Sequence, residues 1–214
     1  MSRTEILDRI RKKLAVDSED KTRLQVVESR LANHLPNTIP SRCRQSHSDL
    51  VDLFQEKMEK AHGTVNRVNN DTDLGGEIMA YLGDGSFELC INVLEFELDF
   101  SAYSSVQTVE WTPRSSLDIC ISDCFGAVAE TGSLVISSSK QMPLSFNFLG
   151  EKHIVLLKED QIMGAYEDIW ARTRNDMPRD ITLVSGPSCT GDIEMIMEFG
   201  AHGPKELHII IIGS

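Results

Sequence analysis

The segment Leu207 to Ile212, LHIIII, restricts the fold more than any other stretch of the chain. It is far shorter than the roughly 20 residues needed to span a bilayer, and it has the length of a buried strand. His153 to Leu157 reads the same way, and Ile181 to Val184 and Thr64 to Val68 read as shorter strands. Helical periods separate them: a helix with Leu50, Leu53, Phe54 and Met58 on one stripe, another from Leu74 to Leu82, and a third from Gly164 to Arg174. Strands alternating with helices imply an α/β fold, a three-layer and mostly parallel sheet.

Other elements are placed by punctuation. Ser2-Arg-Thr-Glu5 is a capping box for a helix over about residues 3–15, and a second helix runs from near Asp20 to near Asn33. Leu35 to Ser48 has no apolar period, so residues 1–46 read as a helical arm with its linker and 47–214 as the α/β domain. Gly63 is the expected left-handed cap of the Leu50 helix, and Gly83-Asp-Gly85 ends the next. Residues 86–112 carry strand-like alternation at Phe87, Leu89, Ile91 and Val93 followed by acidic interruptions, and their structure is left open. Ser115 to Phe125 carries a short apolar run; Ala127 to Ile136 reads as strand, Thr131-Gly132 turn, strand; Ser188 to Phe199 reads as a helix.

With 41% hydrophobic and 25% charged residues the chain can bury a substantial core. Its net charge of −12 opposes phosphate backbones and anionic lipid, which excludes nucleic acid and membrane insertion from the expected partners. The start, MSRTEILDRIRKKL, lacks the apolar block of a secretory signal, and the five cysteines are scattered without a C-x-x-C pair. A cytoplasmic protein with reduced thiols, no metal site and no iron–sulfur cluster of its own is therefore expected.

The chemistry-bearing candidates fall in two turns. Ser185-Gly186-Pro187-Ser188 follows a strand and precedes the expected helix, the position where α/β proteins present ligand groups at the carboxyl edge of a sheet. Gly186 permits the turn, Pro187 stiffens it, and Ser188 caps the helix, leaving first-turn amides for an anion or a hydroxyl. Asp192 and Glu194 complement the helix dipole there, and Asp192 also suits a ligand hydroxyl or a cation. Glu130-Thr131-Gly132-Ser133 is the second turn, with Glu130 placed to serve as acid, base or nucleophile. His202, in Ala201-His-Gly-Pro204, falls at the amino edge of the sheet and reads as structural. No G-x-S-x-G, H-E-x-x-H, Walker lysine loop or G-x-G-x-x-G occurs.

Two segments together resemble one family: Ala129-Glu-Thr-Gly-Ser-Leu-Val135, and Ser185-Gly-Pro-Ser-x-Thr-x-Asp-Ile-Glu194 continued by Gly200-x-His-Gly-Pro-x-Glu-Leu-His208. They are similar to the LUD domain of the lactate utilization protein C (LutC/YkgG) family, from about residue 115 to the end and more weakly before Asp49. Cys189 stands where the family usually has a basic residue, and Gly191 where it usually has alanine. The resemblance implies a NagB/RpiA/CoA-transferase-like fold. It also implies a part in a bacterial system oxidising L-lactate to pyruvate, in which iron–sulfur proteins are the partners and carry the clusters. On that basis Glu130, Thr131, Gly132, Ser185, Gly186, Pro187, Ser188, Thr190 and Asp192 are expected to line a cleft for a small organic acid or nucleotide-like ligand. A stand-alone enzyme or sensor for a sugar phosphate or acyl-CoA using Glu130, and a non-catalytic assembly subunit docking through residues 1–46, are the competing readings.

Overall fold

The computed structural model describes residues 2–17, 20–33, 37–93, 95–112, 117–138, 143–191 and 197–213. Met1–Thr38 and Ile39–Ser214 form separate compact units, so the division falls eight residues before the boundary expected from the sequence at 46/47. The intervening segment belongs to the second unit because Cys43 is buried there and its carbonyl lies against Gly164.

The first unit holds α1 (Arg3–Lys13) and α2 (Lys21–Ala32). Ser2 and Glu5 close a reciprocal capping box, with the Glu5 amide donating to Ser2 Oγ at 3.3 Å and the Ser2 amide to Glu5 Oε2 at 2.7 Å. Asp20 caps α2 by accepting from the Arg23 amide at 3.1 Å. Neither helix buries a side chain, and Ile6, Ile10, Leu14, Leu24, Val27 and Leu31 are all exposed.

The second unit opens with α3 (His47–Lys60), then β1 (Thr64–Val68), α4 (Leu74–Leu82), β2 (Phe87–Asn92), β3 (Val106–Val109) and β4 (Leu117–Asp123). It continues through β5 (Gly126–Val128), β6 (Ser133–Ser137), β7 (Gly150–Lys158), β8 (Ile162–Met163), α5 (Tyr166–Thr173), β9 (Ile181–Val184), β10 (Cys189–Gly191), β11 (Met197–Phe199) and β12 (Glu206–Ile212). Six strands form one sheet in the order β1-β12-β7-β4-β2-β3, with every pairing parallel. The open stretch 86–112 thus supplies one edge of this sheet.

The apolar run that restricted the fold occupies β12, flanked by β1 and β7. Its alternate side chains serve two cores. Leu207, Ile209 and Ile211 pack with Leu50, Val51, Phe54 and Met58 of α3, while Ile210 and Ile212 pack with Leu74 and Ile78 of α4. The sheet is therefore the middle of three layers, and full burial of each of these isoleucines contributes about 1.5–3 kcal/mol before entropy is counted.

The α3 side also carries a four-stranded sheet, β8-β5-β6-β9, in which β5 pairs antiparallel with β6 and β6 with β9. This second sheet corrects one expectation. β9 is its edge strand and not a member of the parallel sheet, so the turn after β9 does not sit at a parallel carboxyl edge.

Two local expectations also change. At the end of α3 the left-handed residue is His62 (φ 68°), not Gly63. Gly63 is needed for space, since a Cβ there would lie 2.6 Å from Met58 Sδ. The expected helix Ser188–Phe199 is replaced by a hairpin, β10 against β11, with Cys189 opposite Phe199 and Gly191 opposite Met197. Ser188 cannot start a helix because its amide donates to Pro204 O at 2.9 Å while its own carbonyl accepts from the Gly200 amide at 2.9 Å. Gly191 adds the backbone freedom that disfavours a helix there. Without that helix, Ser188 has no helix to cap and there are no first-turn amides to hold an anion.

Candidate functional site

Both polar turns rest against the last turn of α3. Gly132 (φ 64°) is so close that a Cβ would lie 2.5 Å from Lys57 Cβ and 2.8 Å from the Met58 nitrogen. At Gly186 (φ 99°) a Cβ would lie 2.2 Å from the Ala61 carbonyl oxygen. Left-handed backbone and close approach both require glycine at these two positions.

Seating the two turns on one helix end brings their hydroxyls together. Ser133, fully buried at the start of β6, has its Oγ 2.6 Å from Ser185 Oγ, 2.7 Å from Thr131 Oγ1 and 3.0 Å from the Tyr166 hydroxyl. Tyr166 in turn lies 2.8 Å from Thr131 Oγ1. Ser133 is thus the hub that ties the Thr131 turn to the Ser185 turn. Ser133→Ala is expected to lower stability by about 1–3 kcal/mol by stranding its partners, measured as a shift in the urea midpoint at unchanged slope. A midpoint within error of the parent would show that the cluster does not hold the turns.

Glu130 lies to one side of this cluster. Its Oε1 accepts from Arg42 Nη2 at 2.8 Å, and its carboxylate also acts on Cys43. Burial first, then the Glu130 charge, push the Cys43 thiol up from its ordinary value. The Arg42 pair engages one of the two Glu130 carboxylate oxygens.

Beyond Ser185 the chain opens onto a cavity of about 260 Å³ lined by Thr182–Ser188, Asn147, Phe148, His153, His202, Gly203, Pro204 and Leu207. Ser188 Oγ accepts from the His202 amide at 3.2 Å, which holds the 202–204 segment at the mouth. His202 therefore joins the Ser185 turn instead of lying apart from it: with a hairpin in place of the helix, the chain doubles back. Since His153 and Leu207 lie in the first halves of β7 and β12, the cavity sits toward the amino ends of the parallel strands.

His153 is 1% exposed, its Nε2 is 2.9 Å from Ser122 Oγ, and burial lowers its pKa to about 4. The cavity wall therefore keeps a neutral imidazole near pH 7.

Of the expected cleft residues, Ser185, Gly186, Pro187 and Ser188 line the cavity. Thr131 reaches it only through Ser133 and Ser185, Gly132 is buried against α3, and Glu130 belongs to the Arg42 pair. Thr190 is exposed on the hairpin, and Asp192 and Glu194 lie outside the described residues. Sequence reasoning did not single out Arg42, Asn147, His153 or Tyr166. A histidine within an apolar strand, as at His153, is the one signal that pointed there. Among the described residues no group of three or more His, Cys, Asp or Glu is placed to hold a metal ion, and no helix is long and apolar enough to cross a membrane.

The architecture defines an α/β domain with an all-parallel central sheet and a small mixed sheet that carries two hydroxyl-linked turns. Residues 114–212 match the LUD domain family. It is 32% identical over 101 residues to lactate utilization protein C of Deinococcus radiodurans, covering 45% of this chain and 47% of that protein. It is 32% identical over 91 residues to the YkgG protein of Escherichia coli, covering 39% of each. In these two matches the chain thus spans half or less of the relative's length. A longer alignment joins it to lactate utilization protein C of Macrococcus caseolyticus, 24% identical over 210 residues, covering 91% of this chain and 83% of the relative. The crystal structure of a DUF162 family protein from Deinococcus radiodurans superposes with a TM-score of 0.58 at 18% identity, covering 79% of this chain and 99% of the other. That likeness is one of fold.

Proposed function

We propose that the protein acts in lactate utilization, as a cytoplasmic subunit without a cluster of its own in a system that oxidises L-lactate to pyruvate with iron–sulfur partner proteins. The observation that carries this reading is the alignment with a lactate utilization protein C over 91% of this chain. The geometry agrees with a binding role: the two turns of the LUD segment are fixed by glycine contacts and joined by hydroxyls beside a cavity. A strain lacking this chain and any paralogue is expected to lose growth on L-lactate as sole carbon source and to keep growth on pyruvate. Normal growth on lactate would overturn the proposal.

One observation favours an assembly role within the same system. Helices α1 and α2 bury no side chain yet carry apolar stripes, a surface suited to a partner's groove. Deleting residues 2–38 is expected to abolish co-purification of the iron–sulfur partners, and an unchanged complex would discard this role.

A further inference from the structure

The cavity beside the Ser185 turn has a chemistry more specific than its size. Its wall includes Thr182, Leu183 and Val184 in succession. Side chains of a strand alternate between faces, so a cavity that touches three consecutive residues meets the strand edge-on. β9 ends the small sheet, so the edge it presents carries main-chain N–H and C=O groups that its ladder with β6 does not use.

The rest of the wall is complementary. Asn147 is 4% exposed; its Nδ2 donates to Leu144 O at 3.2 Å, and its Oδ1 has no hydrogen-bond partner among the described residues. A buried amide oxygen of this kind calls for a donor. Phe148, Pro187 and Pro204 supply apolar surfaces between the Asn147 side and the strand edge. His153, neutral through burial, adds no charge.

We propose that this cavity binds an uncharged planar heteroaromatic ring with an in-plane N–H donor beside an acceptor, the chemistry shared by a nucleobase and a nicotinamide. The ring packs on Phe148 and the prolines, directs its N–H to Asn147 Oδ1 once that side chain turns to expose the oxygen, and sets its other edge against the main chain of β9. A volume of about 260 Å³, just below the usual range of small-molecule sites, suits one ring system. At the Asn147 oxygen a carboxylate such as lactate is disfavoured against the ring's N–H, because two acceptors would face each other there. The inference rests on the reading that the cavity is the ligand site of the LUD segment, and it does not need the lactate role.

The full chain is titrated with adenine, nicotinamide, benzoate and L-lactate at millimolar concentrations, followed by saturation-transfer NMR. Saturable binding of adenine or nicotinamide is expected, the stronger of the two identifying the source, with benzoate and lactate silent. Gly203→Leu fills the cavity from a Cβ that lies 3.3 Å from Ser188 Cβ and 3.7 Å from Phe148 Cδ1, and is expected to raise Kd by at least about tenfold. Asn147→Leu, which removes the acceptor, is expected to raise Kd about tenfold, and a thermal melt of each variant verifies folding. Binding of neither ring, equal binding of benzoate, or ring binding indifferent to Gly203→Leu overturns the proposal. Lost growth on lactate without ring binding removes the ligand class alone. Ring binding with normal growth supports the ligand class and removes the metabolic role alone.

Discussion

Gly186→Ala is expected to destabilise the second unit by about 4 kcal/mol, the sum of a left-handed non-glycine backbone and an overlap that cannot relax easily. The backbone has φ 99°, and the new Cβ would lie 2.2 Å from the Ala61 carbonyl oxygen, a main-chain atom of the α3 terminus. For a domain of this size the melting temperature should fall by about 8–16 °C. The internal control is Gly191→Ala, where a Cβ meets nothing within 4 Å and the change should stay within about 0.5 kcal/mol. Equal melting temperatures for the two variants would show that the Ser185 turn is free to move off α3.

Acid should weaken the fold well above the carboxylate range. His153 and His208 are 1% and 5% exposed, and burial lowers both from 6.5 to about 4. The unfolded chain therefore binds more protons than the folded one below pH 6.5. The stabilisation is fully present above that value and is lost as pH falls toward about 4. Near pH 5 each histidine should cost on the order of 2 kcal/mol, so the pair lowers stability by about 4 kcal/mol between pH 7.5 and 5.

The surroundings of His208 are neutral or distant enough to leave burial dominant. Its Nδ1 is 2.7 Å from Thr64 Oγ1 and its ring stacks on Tyr81 at 3.8 Å, while Glu206 is engaged by Tyr81 and Lys152. His208→Gln should remove about half of the pH slope whatever it does to stability at neutral pH. Urea midpoints measured across this range decide the matter: a flat profile from pH 7.5 to 5 would contradict two neutral buried imidazoles.

The parallel core was legible because its signals are local. Burial on both faces shows as the unbroken run in β12, and the helices α3 and α4 each carry one apolar stripe with a cap. In the second sheet the β5–β6 hairpin was legible from its Thr131-Gly132 turn, but the place of β9 was not, because β9 is short and its antiparallel pairing with β6 joins segments about 50 residues apart. Nothing in Ile181 to Val184 states which sheet it enters.

The hairpin was misread for a related reason. The expected helix gave Ser188 the role of cap, whereas the hydrogen bonds that decide its conformation come from Gly200 and Pro204, beyond any local window. That single error carried two others: the anion site at a helix start, and the separation of His202 from the Ser185 turn. At the Glu130 turn the sequence located the residues, but their partners Arg42 and Tyr166 arrive from distant segments and bear no mark of it.

The last turn of α3 acts as a gauge block for everything above it. Lys57, Met58 and Ala61 are where Gly132 and Gly186 touch down, so the separation of the two turns is set by a helix that contributes no side chain to the cavity lining among the described residues. Inserting one residue within α3 would rotate that end by about 100° and advance it about 1.5 Å, misaligning both turns at once. Length variation among folded forms of this domain should therefore be confined to the segments outside Ser46–His62, and the register of a helix outside the cavity lining becomes a heritable constraint on what the cavity can hold.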